Sequence, residues 1–178
     1  MLAEVALLGA CGDDDAEGAT PTTATLQRSL TAVGVLPTLA GYDRSNPEKV
    51  VAPGTLDIVF SVYRKSGTQD VNARVEARVY ATEADAKADY AAQAQGWKNP
   101  PPGLFGPNLR NADGPALTGM GEATAYEAQT KDAAGRRVYT DVYRVGRVIV
   151  VQHVLSGDDG AAEVLRKALA ESVKARVG

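Results

Sequence analysis

The residues of this 178-residue chain that could do chemistry are few, and their types limit what chemistry is available. His153 is the only histidine and Cys11 the only cysteine, so a zinc site built from Cys or several His ligands cannot be assembled within one chain. A nucleophilic triad on His153 would need Asp141, on the preceding strand, and a Ser or Thr brought by the fold. The sequence has no Gly-x-Ser-x-Gly elbow to expose that serine. A histidine on a strand with Val151 and Leu155 reads more simply as a core residue. Carboxylate pairs are equally spare. Asp13 to Asp15 lie in a polar tail, Asp158 and Asp159 sit where a helix would be capped, and Glu122 and Glu127 face opposite sides of one strand. Gly119-Met120-Gly121 is too short for a phosphate loop and leads into a strand. No cofactor is implied. The group with most to offer is Arg137, Tyr139, Asp141 and Tyr143, which share one strand face. Such a face suits a small polar ligand or a glycan; the alternative is that the tyrosines edge the core with their hydroxyls wet. A second candidate surface is residues 97–120, where Trp97, Leu104 and Phe105 are set among three proline clusters. A loop of that length in a compact domain is often functional, although Leu104 and Phe105 would equally serve as a plug that holds the loop down.

The elements that must position these residues follow from periodicity. Leu26, Leu30 and Val33 form a helical face ended by Gly34, and residues 36–54 read as a turn-rich connection. Residues 56–63 and 70–79 alternate apolar and polar, and Lys65-Ser66-Gly67-Thr68 joins them as a hairpin. Thr82, with Asp85 three positions on, opens a helix over 83–98 whose Ala86, Tyr90, Ala94 and Trp97 share a face. Strands come next at 123–128, 137–145 and 147–155. Val148-Ile149-Val150-Val151 is apolar at consecutive positions, which predicts a central strand covered on both faces. Asp158 and Asp159 cap a last helix with the stripe Ala161, Leu165, Leu169 and Val173, while Glu163, Arg166, Lys167 and Lys174 fall off that stripe. The expectation is an α+β domain over 26–178 in the order α-β-β-α-β-β-β-α, with about five antiparallel strands and the helices on one face.

Charge divides the chain in two. The net charge is −3, but the first 25 residues hold five acids and no base, leaving 17 acids against 19 bases in the body. The body has no clustered basic stripe, so nucleic acid is not implied. No segment is apolar for the ~18 residues a membrane span needs.

Leu8-Gly9-Ala10-Cys11 is an apolar residue, two small residues and a cysteine, followed by the acidic stretch Gly12-Asp13-Asp14-Asp15-Ala16-Glu17-Gly18. This resembles the lipobox of bacterial lipoproteins, in which the cysteine takes a diacylglycerol and the chain is cut just before it. The resemblance covers about a dozen residues. It implies a partial signal peptide at 1–10, lipidation at Cys11, a flexible tether at 11–25 and a membrane as partner. It departs from the family in lacking a basic residue before Cys11, Arg28 being the first, which puts the true start upstream. More loosely, the body resembles small extracytoplasmic domains of such lipoproteins. Residues 80–86 enter a helix, Gly119-Met120-Gly121-Glu122-Ala123 enters a strand, and residues 143–150 form a hairpin before a closing helix. The resemblance implies a tethered binding or interaction module for an envelope protein or a small ligand. The alternatives are an extracytoplasmic hydrolase using Asp141 and His153, or a cytoplasmic protein with a disordered tail.

Overall fold

The computed structural model describes residues 30–68, 70–101 and 110–177. A one-turn helix α1 (Ala32–Val35) precedes strands β1 (Tyr42–Arg44), β2 (Glu48–Val50), β3 (Asp57–Lys65) and β4 (Val71–Val79). Helix α2 (Glu83–Lys98) is next, then β5 (Asn111–Gly114), β6 (Glu122–Ala128), β7 (Arg137–Val145), β8 (Val148–Ser156) and helix α3 (Asp159–Val177). The strands form one antiparallel sheet in the order β1-β3-β4-β8-β7-β6-β5, with β2 also pairing β3. The class is α+β, as the alternation and hairpin spacing imply.

Two expectations are corrected. The sheet has eight strands rather than about five. The additional ones, β1, β2 and β5, are three or four residues long and lie in the turn-rich stretches at 36–54 and 97–120. They are edge pieces, too short to show a period of two. The helices also cover both faces rather than one. On the first face, α3 and α1 bury Val59, Tyr63, Val75, Val150 and Val154 with Leu165, Leu169 and Val173. On the second, α2 lays Ala86, Tyr90, Ala94 and Trp97 on Val142, Ile149 and Val151.

The central strand is where its composition places it. β8 lies between β4 and β7, and Val148, Ile149, Val150 and Val151 are all buried. Helix α2 begins as expected: Thr82 Oγ1 accepts from Asp85 N–H at 3.1 Å and donates to Asp85 Oδ2 at 2.8 Å. At the start of α3, Asp158 Oδ1 accepts from Ala161 N–H at 2.8 Å. Asp159 turns instead to the sheet, where its carboxylate accepts the Tyr139 hydroxyl.

Candidate functional site

Adjacent residues on a strand face opposite sides of a sheet, and this separates the residues singled out above. Register pairs Asp141 with Gln152 and Thr140 with His153. Asp141 therefore faces α3 and His153 faces α2, so the Asp141–His153 couple that a hydrolase would need does not form. His153 Nδ1 bonds Thr140 Oγ1 at 3.0 Å, and its ring meets Trp97 edge-on with centroids 4.4 Å apart. Burial, with the nearby Arg74 charge, lowers its pKa to about 3, so the imidazole is neutral at ordinary pH. Trp97 is thereby a packing partner of the second core, and its carbonyl accepts from Asn111 Nδ2 at 2.8 Å.

On the α3 face, the residues expected to act together are divided between core and rim. Tyr143 is fully buried, and its hydroxyl donates to Gln152 Oε1 at 3.2 Å. Burial raises its pKa well above the usual value. Asp141 is buried in a bidentate pair with Arg166: Nε to Oδ2 at 2.9 Å and Nη2 to Oδ1 at 2.6 Å. Gln152 Nε2 donates to the same Oδ2 and to the Arg166 carbonyl. Arg166 is the residue that sequence reasoning misses, because its place off the leucine stripe implies exposure. It is 4% exposed. The available signal was its spacing of four from both Ala162 and Ala170, which flank the Leu stripe and are buried. Burial opposes the Arg166 charge, but the hydrogen bonds and charge of Asp141 more than offset it and hold the guanidinium above its usual pKa.

Above this pair lies a cavity of about 340 Å³. Its roof is the segment 115–118 that comes after β5, its floor is Tyr139 with Glu127, and its wall is the first turns of α3. The roof is tied down at both ends. Arg166 Nη2 donates to the Pro115 carbonyl at 3.0 Å and Lys174 Nζ to the Gly119 carbonyl at 2.9 Å. Leu117 and Met120 pack on the first core. Gly114 permits the approach, since a methyl there would stand 2.9 Å from Glu127 Cγ.

The cavity's cations are committed within the molecule: Arg166 to Asp141 and Pro115, Lys167 to Glu163 at 2.6 Å. Its carboxylates are Glu127, Asp159 and Glu163. Glu127 Oε2 stands 3.5 Å from Arg137 Nη1. The Tyr139 hydrogen bond holds the Asp159 carboxyl below its usual pKa, and the Lys167 contact does the same for Glu163. The Tyr139 hydroxyl is pushed up to about 12 by burial and by Asp159. In each, one carboxylate oxygen has a partner within the molecule: Glu127 Oε2 near Arg137, Asp159 Oδ1 at the Tyr139 hydroxyl and Glu163 Oε1 at Lys167. The lining as a whole offers hydrogen-bond acceptors.

Of the four residues expected on this face, Tyr139 lines the cavity, Asp141 holds Arg166 beneath it, Arg137 holds Glu127 at its edge, and Tyr143 belongs to the core. Leu104, Phe105 and Cys11 lie outside the described residues. Of the candidate loop 97–120, residues 115–118 form the roof. A second concavity, lined by Pro53, Gly54, Tyr80, Asp85 and Asp89, has its carboxylates taken up by Thr82, Tyr80 and Gln93. Among the described residues no group of three or more His, Cys, Asp or Glu could hold a metal ion.

No protein-family model matches the chain, and no curated protein matches it significantly. Its fold is similar to that of the extracellular domain of PknH from Mycobacterium tuberculosis, with a TM-score of 0.58 and 11% sequence identity. The similarity covers 78% of this chain and 85% of that one. At that identity the likeness is one of fold.

Proposed function

We propose that this chain is a membrane-tethered extracytoplasmic lipoprotein whose domain binds a small polar ligand rich in hydrogen-bond donors, such as a sugar or an amine. The observation that carries the reading is the cavity under 115–118. Its arginine and lysine are neutralised from within, while Glu127, Asp159 and Glu163 retain acceptor capacity around it. A few convergent polar groups in a concave site are what a small-molecule pocket requires. The lipobox-like Leu8-Gly9-Ala10-Cys11 supports the tether. A fold shared with an extracellular domain supports the location.

Two experiments test the two halves. With a complete signal peptide placed ahead of Cys11, the protein should partition into detergent from a bacterial host, and Cys11→Ser should move it to the aqueous phase. Equal partitioning would remove the tether. For the cavity, a melting screen of neutral sugars and small diamines should raise the melting temperature of the folded domain. The shift should vanish in an Asp159→Asn/Glu163→Gln variant. A shift that survives both substitutions would place the ligand elsewhere.

A further inference from the structure

The cavity under 115–118 does not end at Lys167. A second cavity of about 110 Å³ lies further along α3, lined by Leu117, Thr118, Met120, Lys167, Ala170 and Glu171. Leu117, Thr118 and Lys167 line both, so the two meet beneath residues 117 and 118. Together they form one groove between the segment 115–120 and α3. On the helix it follows Asp159, Glu163, Lys167, Ala170 and Glu171, a stripe at spacings of three and four. From 159 to 171 that stripe is about 18 Å long. The Lys174 bond to the Gly119 carbonyl holds the segment over its far end.

The two halves differ in chemistry. The first holds Glu127, Tyr139, Asp159 and Glu163. The second is walled by Leu117 and Met120, which rest half-buried on the first core, and by Ala170, whose small side chain leaves the space open. At ~30 Å³ for a group the size of a water, it has room for roughly three or four such groups, a short run of methylenes. Charge is uneven as well. Arg166 is answered by Asp141, and Glu127 by Arg137. Among the remaining lining residues Asp159, Glu163 and Glu171 outnumber Lys167. Lys167 stands at the neck, exposed, in an i,i+4 pair with Glu163. A surface pair of that kind is worth little, so a second cation can take Glu163 and leave Lys167 to solvent.

We infer that the ligand is a primary amine carrying a short alkyl chain, its ammonium among Glu127, Asp159 and Glu163 and its chain passing the neck into the cavity walled by Leu117, Met120 and Ala170. The inference rests on the small-ligand reading of the first cavity and narrows it, since a sugar has no apolar part to place in the second. Each methylene buried there should tighten binding about fourfold.

The test is a titration of the full chain with straight-chain primary amines from ethylamine to decylamine, read on carbon-13-labelled methionine methyls and on backbone amides. The chain has two methionines, Met1 and Met120, and Met120→Leu assigns the signal. Once the alkyl chain is long enough to pass Lys167, affinity should rise about fourfold per added carbon over roughly three or four carbons and then level. The Met120 methyl should shift with the same Kd, and alcohols of equal length should bind about tenfold more weakly or worse. Affinity that ignores chain length, or amides of 116–118 that move while the Met120 methyl does not, would confine the ligand to the first cavity; this inference then falls and the small-ligand reading stands. Alcohols that bind as tightly as amines would overturn the ammonium. A protein in which neither amines nor sugars shift any residue of either cavity loses both readings.

Discussion

Arg166→Met is the substitution whose effect can be worked furthest from the structure. It removes both hydrogen bonds to Asp141, at 2.6 and 2.9 Å, and the bond at 3.0 Å to the Pro115 carbonyl. The Asp141 side chain is 2% exposed, and among the described residues the side-chain donor left to it is Gln152 Nε2 at 2.9 Å. A buried carboxylate that loses its cation costs about 3–5 kcal/mol. At a urea dependence of about 2 kcal/mol per molar, the unfolding midpoint should fall by roughly 2 M. Replacing both partners in an Asp141→Leu/Arg166→Met protein removes the stranded charge, so most of that loss should be recovered. The freed Pro115 carbonyl has a separate readout: amide exchange over 116–118 should quicken in both variants. Urea melts and hydrogen exchange on the three proteins decide it. A loss under 1 kcal/mol for Arg166→Met, or a double variant as unstable as the two single losses combined, would refute the buried pair as described.

His153 makes stability depend on pH in a stated direction. Its folded pKa of about 3 lies below the unfolded value near 6.5. The unfolded chain therefore binds the proton first, and stability is full above pH 6.5. It should fall by about 1.4 kcal/mol per pH unit as the pH drops from 6.5 toward 3, a slope that His153→Gln should flatten in melts between pH 4 and 7. Tyr139→Phe removes the hydroxyl that holds Asp159. Stability should drop by about 1 kcal/mol, and the Asp159 carboxyl should titrate at a higher pH by carbon-13 NMR. Thr82→Ala deletes the cap of α2 and should cost about 1 kcal/mol in a urea melt; no measurable loss would mean the helix start is held by packing alone.

What the sequence made legible is what local pattern encodes. Helix α2 was readable because Thr82 and Asp85 mark its start and the Ala-rich face from Ala86 to Trp97 carries it through to Lys98. Strand β8 was readable as central from four consecutive apolar residues. The second helical layer was not legible, since the face a helix covers depends on the handedness of its connection rather than on its own stripe. Strands β1, β2 and β5 were hidden by their shortness. Within the candidate site, alternation correctly put Tyr139 and Asp141 on one face. It could not say that Arg166 arrives from 25 residues away to bury one and set its guanidinium over the ring of the other. Alternation also could not place His153 relative to Asp141, because they lie on different strands. Their separation depends on the β7–β8 register, which sets Gln152 rather than His153 opposite Asp141.

The most direct test of the account is a nitrogen-15 NMR titration of the folded domain with the sugar or diamine that raises its melting temperature most. Binding in the cavity should move the amides of 116–118, Glu127, Tyr139, Asp159, Glu163 and Lys167, and leave those of Val50, Val51 and Leu56 in place. Saturable shifts confined to other residues, with the cavity amides unmoved, would contradict it.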